Sequence, residues 1–403
     1  MKKALGIVLL MLALSLVSVP AFAQQVELDL KLWYPGVVGA DEWVADYGTY
    51  VVEEHTNGVS TLQWEPPPHQ DENELVLRPG SGLSFILSGE YFVFPSISVG
   101  VSYWGLSRAD EVGVELESDF TNSGIADMAN EDPESYWIDV PWCEDEVPVS
   151  NEGIPRTILV GDMAFSMSAL DVCATKMLSG PGWEAGLSGG VRRATLSESL
   201  STEVEFSGEW ENITYLSGRK DSLSLDSKLN VTAIGPQVGV YGKYAPGDKL
   251  VLKAGAKAGL LFGTAKTDAL WAVKYWYYYA EENNSVGNHL APAQVEETPD
   301  KWGDPLDSGE TAHEAIDAVR ITTYDLSAAL AYQITDQWSV EAGYYASIWN
   351  GVPSVYFFNY NAPWDDFGYD FVYPIDSEVA AWERAEARTI TVRGLTLGVN
   401  FKF

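Results

Sequence analysis

The amino-acid sequence predicts an all-β fold: a transmembrane, antiparallel, up-and-down β-barrel of ten strands, with twelve as the second choice, long acidic extracellular loops and short periplasmic turns. Three observations predict it. The chain opens on an export signature, its later apolar runs are all too short for a membrane helix, and it closes on a strand of strict two-residue alternation.

Lys2 and Lys3 precede an apolar stretch from Ala4 to Val19, and Ala21-Phe22-Ala23 supplies the small-x-small pattern that signal peptidase cuts. Residues 1–23 are therefore expected to be a signal peptide and residues 24–403 the barrel domain. The stretch is short for a bilayer-spanning helix of about 20 residues, which disfavours a retained anchor. Downstream, every apolar run is broken by a charge, Pro or Gly. A chain of this kind can enter hydrocarbon only as a closed barrel, because its backbone polar groups find no water there.

At the far end Leu395, Leu397, Val399, Phe401 and Phe403 are apolar, with Thr396, Gly398, Asn400 and Lys402 between them. Such alternation turns one face to lipid and the other to a polar lumen. The terminal Phe resembles the signal read by outer-membrane assembly machinery, so Leu397, Val399, Phe401 and Phe403 are the expected contacts with that partner.

Period-two alternation marks strands near 26–34, 81–91, 94–107, 157–177, 183–197, 228–244, 249–268, 319–334, 337–350 and 388–403. Ser179-Gly180-Pro181-Gly182, Ala245-Pro246-Gly247-Asp248 and Thr335-Asp336 are tight-turn sequences, and they alternate with connections of about 30–50 residues. In bacterial barrels the short turns are periplasmic and the long loops external, which puts both termini in the periplasm. Two places could hide a further hairpin: Val204 to Trp210, and Tyr47 to Trp64. Alternation also changes phase near Gly235-Pro236, from Leu229-Val231-Ala233 to Val238-Val240, and this is expected to be a kink or bulge. The aromatic run Tyr275-Trp276-Tyr277-Tyr278-Tyr279, with Tyr34, Tyr103, Trp104, Trp338 and Trp349, is expected to form interfacial girdles.

The composition, 46% apolar and 12% aromatic, is too rich for disorder, and the net charge of −34 disfavours nucleic acid as a partner. The excess acid lies in the long connections: the first alone holds Asp41, Glu42, Asp46, Glu53, Glu54, Glu65, Asp71, Glu72 and Glu74. No run has EF-hand spacing, so no metal site and no cofactor is assigned. Divalent cations are expected only at the acidic loops, and outer-membrane lipid and lipopolysaccharide are the expected surroundings. Cys143, in an outer loop, and Cys173, near the inner end of a strand, are expected to stay unpaired.

Inside the wall, Asp162, Arg192, Lys253, Lys257 and Glu341 are the candidate lumen-lining residues. Two readings apply to them. They line a water-filled path, or they pair across a lumen that a barrel of about ten strands leaves narrow. His55, His69, His289 and His313 all fall in expected loops, and neither Gly-x-Ser-x-Gly nor His-Glu-x-x-His occurs, so the chain is expected not to be an enzyme.

The run Ile234-Gly235-Pro236-Gln237-Val238-Gly239-Val240, then Tyr244, a Gly-containing turn, and Ala256-Lys257-Ala258-Gly259-Leu260-Leu261-Phe262-Gly263 resembles the Legionella major outer membrane protein family. Ser166 to Val172, Trp183 to Leu187 and Ser339 to Tyr344 are similar to other segments of that family, so the resemblance spans about the C-terminal two-thirds of the chain. Gln237 stands where the family commonly has Arg after Gly-Pro. The resemblance implies a pore-forming barrel. The leading expectation is thus a porin-like channel for passive diffusion of small hydrophilic solutes or ions; the alternative is a structural or surface-interaction barrel with a plugged lumen.

Overall fold

The computed structural model describes residues 26–40, 42–51, 73–117, 134–139, 147–149, 156–212, 215–247, 249–281, 307–360, 380–384 and 387–403. The expected signal peptide, much of the acidic connections, Cys143, His55, His69 and His289 lie outside the described residues.

Ten strands close into one barrel: β1 (Val26–Val38), β4 (Ser84–Phe94), β5 (Ile97–Glu117), β8 (Arg156–Gly180), β9 (Trp183–Asn212), β10 (Tyr215–Tyr244), β11 (Leu250–Glu281), β12 (Asp307–Gln333), β13 (Trp338–Val352) and β16 (Arg388–Lys402). Each pairs antiparallel with its neighbours in the chain, and β1 meets β16 to close the ring. Further strands occur in the long connections, but they pair only with one another. β2 (Glu42–Val51), β3 (Asn73–Leu77), β6 (Glu134–Asp139) and β7 (Val147–Val149) form one small sheet, and β14 (Tyr356–Tyr360) pairs with β15 (Ala380–Arg384). The wall has ten strands, and the twelve-stranded alternative is not adopted.

At one end the turns are tight. Gly182 sits at φ 73°, which the Pro181-Gly182 turn needs and which any side chain would resist. Ala245 N donates to Gly182 O at 2.8 Å, and Trp338 N to Thr335 O at 3.3 Å, tying neighbouring turns and closing the β12–β13 hairpin.

The strands are much longer than expected. β9 runs to Asn212 and β10 begins at Tyr215, so the long third loop of the sequence reading is instead a continuation of both strands, paired residue by residue up to Asn212–Tyr215. Val204 to Trp210 does not pair on itself; it lies in this ladder.

The reason the extension escapes a search for lipid-facing alternation is visible along β9. From Trp183 to Val191 the outward side chains are Trp183, Ala185, Leu187, Gly189 and Val191, with Glu184, Ser188 and Arg192 inward. Beyond Arg192 the chemistry reverses while the geometry does not: Arg193, Thr195, Ser197, Ser199 and Ser201 face out, and Ala194, Leu196, Leu200 and Val204 are buried inside. β10 reverses in the same way between Ile234 and Ala233, and β11 between Phe262 and Leu261.

This corrects the expected bulge at Gly235-Pro236. Gly235 pairs with Arg192 and Pro236 with Val191 in unbroken register, and Ile234–Phe262 and Gln237–Gly259 belong to one register on the other side. The phase of apolar residues changes because the surroundings of the two faces change, and the backbone stays in step.

The apolar outward band is thus about nine residues tall on β9, the height a transmembrane β-strand needs. Aromatic side chains edge it. Tyr34, Tyr103 and Tyr324 lie at the upper rim, and Trp183, Tyr244, Tyr332 and Trp338 at the rim near the tight turns. Two girdle expectations fail. Trp104 and Trp349 turn inward and are buried, and Tyr275 to Tyr279 lie far beyond Phe262, near the tip of β11. Above the band, apolar side chains such as Phe165, Met167, Leu200, Leu229, Leu261 and Ile390 fill the interior, so the extension is a water-exposed barrel with its own core.

Candidate functional site: the charged lumen

Within the band, alternation forces every second side chain into a space with no lipid and little water. Unpaired charges there would cost several kcal/mol each, and the inward charges meet one another across the ring.

Nearest the tight turns, Lys402 Nζ lies 3.1 Å from Glu27 Oε1, and Lys243 Nζ lies 3.6 Å from both Glu27 and Glu184. The next layer joins β1, β11 and β13. Glu341 accepts from Lys253 at 2.6 Å and is ion-paired with Lys31 at 2.5 Å, and Lys31 also reaches Asp29 at 3.0 Å.

The third layer centres on Arg192, whose side chain is 1% exposed. Its Nε and Nη2 hold Asp171 in a bidentate pair at 2.7 and 2.8 Å, and Nη2 also bonds Asp325. Arg192 Nη1 donates to Thr323 Oγ1 at 3.3 Å, and Lys257 Nζ lies 3.0 Å from Asp171. A planar guanidinium fork suits this role, since one group on β9 serves a carboxylate from β8 and a carboxylate and a hydroxyl from β12.

An aromatic layer closes on top. Ser347 Oγ donates to Asp325 Oδ1 at 2.6 Å and accepts from Trp349 Nε1 at 2.8 Å, linking charge to ring. Trp33, Trp104, Tyr345 and Trp349 then pack edge to face, with ring centroids 5.1–6.5 Å apart. Within the apolar core above them a further ion pair, Glu198 with Arg388, joins β9 to β16.

Four of the five expected lumen residues are inward and drawn into two clusters, Arg192 with Lys257 and Lys253 with Glu341. Asp162 is the exception. It is exposed on the outer wall above the band, in register with Glu111 and Ser201. The acid that β8 sends inward is Asp171, which the sequence reading missed. Its signal was present: Leu170 and Val172 both face lipid, so the residue between them points inside. Cys173, two positions further on the same face, is a free thiol that accepts from Gln237 Nε2 at 3.0 Å. His313, expected in a loop, belongs to β12 and packs its ring against Tyr356 and Trp382. Among the described residues no group of three or more His, Cys, Asp or Glu is placed to hold a metal ion.

A closed antiparallel ring, an apolar outer band edged by aromatics and a polar interior define an outer-membrane β-barrel. No family model and no curated protein matches the chain. Among solved structures it is similar to the outer-membrane protease OmpT from Escherichia coli, at 10% identity over 96% of this chain and 99% of that one, with a TM-score of 0.43. It is also similar to the Pseudomonas putida toluene transporter TodX (9% identity; 94% and 90% covered; TM-score 0.22) and to a Pseudomonas aeruginosa FadL homologue (9%; 94% and 90%; 0.21). At these identities and scores the likeness concerns barrel architecture and carries no activity across. It does correct one expectation. An outer-membrane barrel in this set is a protease, so the missing hydrolase motifs do not exclude catalysis.

Proposed function

We propose that this chain is an outer-membrane barrel, closed at rest, that carries a polar extension on the cell surface. The observation behind this reading is the layered lumen: Asp171, Arg192, Thr323 and Asp325 are each at most 4% exposed, and Trp33, Trp104 and Trp349 are buried directly over them. In this reading the tight turns and both termini are periplasmic, the expected signal peptide has been removed, and the extension stands outside. The Phe403 strand is then the contact for the assembly machinery, while lipopolysaccharide and divalent cations are partners at the surface.

A second reading, porin-like passage of small hydrophilic solutes or ions, has its own support. Lys402, in the layer nearest the tight turns, and Lys257, in the Arg192 layer, are each about one-third exposed, so the charged lumen is not sealed throughout. The resemblance to the Legionella major outer membrane protein family favours the same pore. Passage would require the Arg192 layer to open.

Single-channel recording of the refolded barrel in planar bilayers separates the two. Electrical silence from a heat-modifiable, folded protein supports the closed barrel. Stable current steps whose ion selectivity shifts in Lys253→Glu/Lys257→Glu would sink it and establish the pore.

A further inference from the structure

Where the outward face leaves the apolar band, its charges sort by sign. Arg193 follows Val191 on β9, Arg393 follows Leu395 on β16, and on β12 only Thr322 separates Arg320 from Tyr324. Outward acids come later: Thr232, Asn230 and Lys228 intervene before Asp226 on β10, and Ser168, Ser166 and Ala164 before Asp162 on β8. In the lumen Arg192, Lys253 and Lys257 are each ion-paired. Arg193 and Arg320, by contrast, are exposed, and their guanidinium groups make no hydrogen bond or ion pair with any described residue.

These two arginines also share one row of the wall. Arg193 pairs with Ile234, Ile234 with Phe262, and Phe262 with Arg320, across β9, β10, β11 and β12. At a strand spacing of about 4.8 Å their backbones stand roughly 14 Å apart. Between them Ile234 and Phe262 project outward, more than half exposed. Two free guanidinium forks flanking an apolar floor at the edge of a lipid-facing band complement a headgroup that carries two phosphates across two sugar rings above acyl chains.

We propose that the row Arg193-Ile234-Phe262-Arg320 is a docking surface for the phosphorylated glycolipid of the outer leaflet, its phosphates on the two arginines and its chains against Ile234, Phe262 and the band below. This rests on the reading that the extension faces outward. It deepens the surface-barrel proposal by naming the lipid chemistry and the residues.

The test titrates the full refolded barrel in micelles with diphosphorylated lipid A, dephosphorylated lipid A and inorganic phosphate, following bound lipid by native mass spectrometry. Arg193→Gln/Arg320→Gln is compared with Lys274→Gln, an exposed cation far along β11, and heat-modifiability confirms that each variant is folded. The double variant is expected to bind diphosphorylated lipid A about tenfold more weakly or worse, with Lys274→Gln unchanged and dephosphorylated lipid A bound equally weakly by all. Arg193→Lys/Arg320→Lys is expected to recover only part of the affinity, because a point charge lacks the fork. Undiminished lipid A binding by the folded Gln variant would overturn the proposal, as would displacement of lipid A by inorganic phosphate, which marks a site for the free anion. Conductance is a separate readout, so failure here and failure of the closed-barrel reading are told apart.

Discussion

The lower and upper reaches of β9 are the same strand in the same ladder, yet they are built to opposite rules. Leu187 faces lipid at 64% exposure while Arg192 is buried; a few residues on, Ser199 faces out while Leu200 is buried. Pleat and register are continuous through the change. A β-wall therefore carries no intrinsic inside or outside, and the solvent on each face decides which residues are tolerated there.

The sharpest way to break this comparison is to attack the charged layer that lies just below the change. Arg192→Met leaves Asp171 with Lys257 alone and takes from Asp325 its guanidinium partner, and should destabilise the barrel by about 3–5 kcal/mol, read as a shift of the urea midpoint by tryptophan fluorescence. An unchanged midpoint would mean that water reaches these carboxylates freely.

Truncating the same residue type in the two reaches comes next. Leu229→Ala, inside the extension, should cost about 2–5 kcal/mol because a cavity remains. Leu187→Ala should cost less by roughly 1 kcal/mol, since lipid refills the space. Equal losses in vesicles would deny that Leu187 meets lipid.

Adding a charge sharpens the boundary. Leu187→Lys at mid-band is expected to cost about 2–4 kcal/mol, whereas Ser199→Lys on the same outward face should stay within about 0.5 kcal/mol. If both were tolerated, the band would not be embedded. The smallest effect belongs to the exposed pair Lys266–Asp268, 2.8 Å apart on the extension: Asp268→Asn should leave the urea midpoint where it is.

The sequence exposed the barrel and concealed its height. Strand number and tight turns were legible because both signals are local: two-residue alternation, and Gly or Pro at Pro181-Gly182 and Pro246-Gly247. Strand length was not, because Ser197, Ser199 and Ser201 read as a polar loop unless Leu196, Leu200 and Val204 between them are taken as a core. The same assumption, apolar out and polar in, placed Asp162 inside and made a bulge of Gly235-Pro236. Four lumen residues were found from parity alone. That they meet in layers depends on which strands lie across the ring, and no local pattern encodes that.

The ring has its seam where β1 meets β16. Val26 N donates to Phe403 O at 3.2 Å and Phe403 N to Val26 O at 3.0 Å, and the pairing runs from Glu27–Lys402 to Val38–Thr391. The first strand thus waits for the last. Until the final residues arrive, every partial assembly has two raw edges of unpaired amides and carbonyls, open to any other extended chain. Lengthening the intervening chain adds little equilibrium cost, about 0.6 kcal/mol per doubling, but such distant pairings form slowly. Closure of the wall therefore depends on the strand most distant from β1 in the chain, and a barrel lacking β16 would keep open edges that can template aggregation.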